Sequence, residues 1–120
     1  MIVARAGGLV PKVGVVLGSG LGPLADDVAE PVVLPYGELP GFPEAGVAGH
    51  AGRLVLGRVG KTPVALMQGR AHLYEHGRPD GMKEAVRTLA EIGCRTLVLT
   101  NAAGSLDPEL GPGSVMLVSD

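Results

Sequence analysis

Aromatic side chains are scarce in this sequence: two tyrosines, one phenylalanine and no tryptophan. A core with so few rings must be assembled from Val, Leu, Ala, Ile and Met, which bury less apolar area per residue. Cysteine is nearly absent as well. The single Cys94 excludes an intrachain disulfide framework and fits a reducing compartment. Within Glu91-Ile-Gly-Cys-Arg-Thr-Leu97 it reads as a small apolar residue where a helix hands over to a strand. No helix N-terminus or base stands beside it in sequence to make the thiol reactive. Charged residues make up 18% of the chain, the net charge is −2, and the ten basic residues are scattered. A nucleic-acid or anionic-membrane surface needs clustered positive charge, so neither partner is expected. Apolar runs are too short to span a bilayer, and no continuous apolar segment of a secretory signal stands near Met1. The expected location is the cytoplasm.

What is present is a 120-residue chain with 46% hydrophobic residues, enough for one domain with its own core. Lys12-Val-Gly-Val-Val-Leu17 reads as a central strand buried on both faces. Pro23 to Glu30 reads as a short helix with Pro23 at its first position, and Pro31-Val-Val-Leu-Pro35 as an edge segment. Tyr36 to Gly52 is a glycine- and proline-rich loop. Residues 53–59 and 61–67 form a hairpin turning at Gly60-Lys61. A helix starts at Pro79-Asp80, carries an apolar stripe of Met82, Ala85, Val86, Leu89, Ala90 and Ile92, and stops at Gly93. Arg95 to Thr100 reads as another buried strand. Asp107-Pro108 and Gly111-Pro-Gly113 are turns, and Ser114 to Ser119 begins one more strand. The pattern predicts an α/β fold, a mixed β-sheet flanked by helices.

Three strand-to-turn junctions carry the chemistry. Gly18-Ser-Gly-Leu-Gly22 follows a strand and precedes a helix, so its glycines permit close backbone approach to an anion and Ser19 adds a hydroxyl. It matches neither a dinucleotide fingerprint nor a Walker A loop, and taken alone it is better explained as a tight strand-to-helix turn. Met67-Gln-Gly-Arg-Ala-His-Leu-Tyr-Glu75 turns at Gly69 and then supplies Arg70, His72 and Tyr74 at alternate positions, which on an extended backbone share one side. A planar cation, an imidazole and a phenol on one surface suit an anion with a polar organic group beside it. Asn101-Ala-Ala-Gly104 repeats the strand-then-glycine design. Convergence of the three at one sheet edge, where ligands of open α/β folds sit, points to phosphate. His50 stands in a loop of small residues. His72 and His76 have helical metal-ligand spacing, but Gly77 and Pro79 disfavour a helix there, so no metal site is expected.

The order Gly18-Ser-Gly-Leu-Gly22, Gly49-His-Ala-Gly-Arg53, Met67 to Glu75 and Thr100-Asn-Ala-Ala-Gly-Ser-Leu106 resembles the trimeric purine nucleoside phosphorylases of the inosine/guanosine type. The likeness runs from about Lys12 onward. It implies reversible phosphorolysis of a purine (deoxy)ribonucleoside to the free base and (deoxy)ribose 1-phosphate. Inorganic phosphate is then a co-substrate, and no cofactor is required. By the same resemblance Ser19, Arg70, His72 and the backbone N–H of Ala102 bind phosphate. His50 positions or activates it, and Tyr74 contacts the ribose. The implied assembly is a homotrimer.

Family members are much longer than this chain. The purine-recognising glutamate and asparagine, a further phosphate serine and a ribose histidine of the family have no counterpart here. Residues 1–120 therefore read as the truncated, N-terminal portion of one nucleoside phosphorylase domain, expected to turn over weakly or not at all. Two alternatives stand beside this: a non-catalytic phosphate-binding or self-associating remnant, and a methylthioadenosine phosphorylase.

Overall fold

The computed structural model describes residues 2–18, 20–43, 52–69 and 81–119. The described elements run α1 (Ile2–Arg5), β1 (Val13–Leu17), a 3-10 helix (Gly22–Asp27), β2 (Ala29–Pro35), a single 3-10 turn (Tyr36–Glu38), β3 (Arg53–Val59), β4 (Thr62–Gln68), α2 (Lys83–Ile92) and β5 (Thr96–Leu99). The strands form one five-stranded sheet in the order β2-β3-β4-β1-β5. β1 lies parallel to both β4 and β5, whereas β2, β3 and β4 pair antiparallel, so the sheet is mixed as expected.

Alternation along the strands sorts the core into two layers. Leu54, Leu56, Ala65 and Met67 face one side with Val16, Leu34, Ala85 and Leu89, so α2 covers that face. Val55, Val64 and Leu66 face the other with Leu17, Ala25 and Val28 around the 3-10 helix. The period of two puts successive residues of one strand on opposite faces, and both faces are apolar because both are covered. Glycine at position 14 lets α2 settle closely: a Cβ there would stand 3.1 Å from Leu89 Cδ1.

The hairpin forms as the sequence predicts, in the register Arg53↔Gln68 through Val59↔Thr62, with Gly60 at φ +61 in its turn. β1 is interior to the sheet, and β2 is an edge. α2 buries Ala85 and Leu89 from the predicted stripe and ends at Gly93, whose φ of +127 suits glycine. The predicted helix start at Asp80 lies outside the described residues.

Four expectations need correction. The helix after Gly22 is a 3-10 helix ending at Asp27, because β2 begins at Ala29 and claims Glu30 for the sheet. Pairing with β3 slips between Ala29 and Val32, and Glu30 takes φ +53 at that bulge. Ala90 of the apolar stripe is exposed, lying too far round α2 to meet the sheet. β5 is not buried: it pairs on one side only, and Leu99 is 67% exposed. Residues 114–119 form no strand, since among the described residues no strand lies beside them to complete a ladder, and Val115 is 96% exposed. The turns at Asp107 and Gly111 do form, with Leu110 N–H donating to Asp107 O and Ser114 N–H to Gly111 O.

Candidate functional site

Parallel pairing brings the carboxyl ends of β4, β1 and β5 to one edge. Leu17 is opposite Gln68, and Val16 is opposite Leu99. Arg53 enters the same edge from the antiparallel side, opposite Gln68. Each candidate junction therefore begins at this edge: Gly18 after β1, Gly69 after β4, and Asn101 after β5.

Two of these junctions are in direct contact. A Cβ on Gly18 would stand 2.6 Å from the Thr100 carbonyl oxygen and 2.7 Å from Asn101 Cα, so only glycine permits the approach. The Thr100 hydroxyl completes the join. It accepts from Gly18 N–H at 2.9 Å and donates to the Val16 carbonyl at 2.8 Å.

The third junction is joined by Gln68, the last residue of β4. Its Nε2 donates to the Gly22 carbonyl at 3.1 Å, and its Oε1 accepts from Arg53 Nε. A flipped amide would set donor against donor at Arg53 and acceptor against acceptor at Gly22, so the two partners fix its orientation. One residue on, Gly69 takes φ +109, the sharp turn anticipated at the end of the strand.

Tyr36 braces the same edge from the 3-10 turn after β2. Its hydroxyl donates to the Gly69 carbonyl, and its N–H donates to the Gly52 carbonyl at 3.0 Å. The ring packs against Phe42 with centroids 5.4 Å apart, so two of the three aromatic residues of the chain are spent here. Burial pushes the Tyr36 phenol well above its ordinary range and keeps it neutral as a donor. Burial also pushes the Cys94 thiol upward, in keeping with the apolar role read for it.

Of the predicted site residues, only Ala102 is described; it is exposed and lies just past β5 outside any regular element. Ser19, His50, Arg70, His72 and Tyr74 lie outside the described residues. What the structure does bring together is flanking residues: Gly18 with Asn101, and Gly52 with Gly69 through Tyr36. Among the described residues, no group of three His, Cys, Asp or Glu side chains could hold a metal. An open depression beside the 3-10 helix is lined by Gly20, Leu21, Pro23, Leu24, Asp26 and Asp27.

Thr100, Gln68 and Tyr36 were not singled out from the sequence. A faint signal exists for the first two: each is a polar residue closing an apolar strand immediately before a turn.

Residues 12–120 match the model of the phosphorylase superfamily. Purine nucleoside phosphorylase 1 of Geobacillus stearothermophilus is 43% identical over 110 residues, covering 92% of this chain and 40% of the relative. The crystal structure of a purine nucleoside phosphorylase in complex with ribose-1-phosphate superposes with a TM-score of 0.81 at 38% identity, over 92% of this chain and 40% of that one. The Schistosoma mansoni enzyme in complex with inosine gives a TM-score of 0.79 at 36% identity, over 92% and 38%. The chain thus spans about two fifths of the length of the relatives it matches. On sequence and fold together, the chain belongs to the phosphorylase superfamily.

Proposed function

We propose that this chain carries the phosphate-binding portion, and the beginning of the ribose site, of a purine nucleoside phosphorylase. The observation that carries the reading is the contact of Gly18 with Thr100 and Asn101, which welds two glycine turns at the carboxyl edge of parallel strands. Ligands of open α/β sheets sit at such an edge. The names of the relatives supply the substrate class: one solved neighbour holds ribose-1-phosphate and another holds inosine.

In the proposed reaction a phosphate oxygen bonds to the anomeric carbon while the glycosidic bond to the purine breaks. The electron pair leaves with the base, which takes up a proton. Ser19, Arg70, His72 and the Ala102 N–H hold the phosphate. His50 positions or activates it, and Tyr74 contacts the ribose. Charge-assisted donors such as Arg70 orient the nucleophile, and the bound anion stabilises the cationic sugar of the transition state. No residue assigned here protonates the departing base, so the isolated chain is expected to bind phosphate and turn over weakly or not at all. Residues 1–120 are read as the N-terminal portion of one cytoplasmic domain, and the longer protein as a homotrimer.

Calorimetry with inorganic phosphate tests the site: binding by the chain and its loss in Arg70→Ala are the expected results. Inosine cleavage by the chain itself, abolished in Arg70→Ala, would contradict the expected inactivity. A second reading, a self-associating remnant, draws on the exposure of Leu99, Val115 and Leu117. Light scattering checks it: a dilute monomer counts against self-association.

A further inference from the structure

The 18–22 loop is fastened at both ends by side chains at or just past the ends of strands remote in sequence. At its start the Gly18 N–H is held by the Thr100 hydroxyl across 82 positions. At its end the Gly22 carbonyl is held by the Gln68 amide across 46 positions. Each fastener is itself braced, Thr100 by the Val16 carbonyl and Gln68 by Arg53 Nε. We propose that Thr100 and Gln68 are positioning residues that preorganise this loop for inorganic phosphate without touching it.

The proposal rests on the phosphate reading above and adds a division of labour within the loop. Gly18 N–H is committed to Thr100, and Leu21 N–H to the Gly18 carbonyl at 3.1 Å. Those two amides are therefore taken, and an anion must be held by other groups of the loop. Gly20 has φ +79, and a Cβ there would meet nothing within 4 Å, so glycine is needed for its backbone conformation and not for space. A loop free at either end would have to lose that conformational freedom on binding. A loop already fastened has lost it on folding, and the gain appears as affinity.

The bonds are also asymmetric in cost. Thr100→Val keeps the shape of the side chain but strands the Gly18 donor and the Val16 acceptor together. Gln68→Met keeps length and loses both partners. Thr100→Ser restores the hydroxyl.

The test uses the 120-residue chain with two readouts. Amide hydrogen exchange reports on Gly18, Gly20 and Leu21, and calorimetry with inorganic phosphate reports affinity. Thr100→Val and Gln68→Met are each expected to speed exchange in the loop and weaken phosphate binding by about tenfold. Thr100→Ser is expected to recover most of both. Thr88→Val on α2, which removes only a hydroxyl bonded to the Glu84 carbonyl within the helix, is expected to change neither. Unchanged exchange in Thr100→Val and Gln68→Met overturns the fastening, whatever phosphate does. Faster exchange with undiminished phosphate affinity overturns the positioning role. Faster exchange in the variants of a parent chain that binds no phosphate overturns the phosphate reading and leaves the fastening standing. If Thr100→Val unfolds, Gln68→Met and Thr100→Ser still decide the question.

Discussion

Leu54-Val55-Leu56 in β3 and Leu97-Val98-Leu99 in β5 are the same three residues, yet they live in different surroundings. In β3 they are 0%, 2% and 0% exposed; in β5 they are 39%, 42% and 67% exposed. Strand propensity is identical, and both stretches form ladders. The difference lies in what flanks them. β3 has a strand on each side and a covering layer on each face, while β5 has β1 alone beside it. Burial is thus a property of position in the sheet, and an apolar strand carries no record of it.

The comparison can be broken most sharply by truncation. Leu54→Ala is expected to cost about 2–5 kcal/mol, since it opens a cavity in a closed core. Leu99→Ala, the same chemical change on the open edge, is expected to cost no more than about 0.5 kcal/mol. Urea denaturation of the two variants measures both, and equal losses would refute the distinction.

A smaller effect tests how tightly the closed region is packed. A Cβ on Gly57 of β3 would stand 2.2 Å from Val28 Cγ1 and 2.6 Å from the Ala29 carbonyl oxygen. Gly57→Ala is therefore expected to cost about 1–3 kcal/mol by forcing β2 away at its bulge. Gly111→Ala in the exposed tail, where a Cβ meets nothing within 4 Å, should leave the same melting curve nearly unmoved.

The smallest effect concerns the edge shared by the two regions. Tyr36→Phe removes the donor to the Gly69 carbonyl, at an expected cost of about 0.5–1.5 kcal/mol. The sign of its pH dependence follows from burial. The folded phenol titrates above its unfolded value of about 10, so its contribution is complete below that pH and is lost as pH rises toward the folded value. Alkaline unfolding should begin above about pH 10 in the parent chain and lose that component in Tyr36→Phe. Coincident alkaline curves would show that Tyr36 is not the group responsible.

Much of the frame was legible because local signals agreed. Alternating apolar residues, a Gly60-Lys61 turn and a stripe with Gly93 behind it specify the hairpin and α2 from neighbouring positions alone. The exposure of β5 was illegible because it depends on which strands stand beside it. The absent strand at 114–119 failed for the same reason: apolar residues propose a strand, but a ladder needs a partner. At the candidate site the glycine turns were readable, and so was their convergence. Thr100 and Gln68 were not, since a hydroxyl and an amide ending two strands give no hint of partners 82 and 46 positions away. The side-chain roles given to Ser19, His50, Arg70, His72 and Tyr74 come from family resemblance, and their positions lie outside the described residues.

The Gly18–Thr100 junction also has a consequence in time. A chain leaves the ribosome from its N-terminus, so the glycine loop is made early and its partner late. The β3–β4 hairpin needs only neighbouring residues and can close as soon as both strands emerge. β1 must wait for β4 across the Val13↔Val64 register, and then for β5 across Val13↔Thr96. Until Thr100 arrives, the Gly18 amide lacks its folded-state acceptor. The loop read as the phosphate site is therefore among the last parts of the described fold to be finished, although it is among the first to be synthesised.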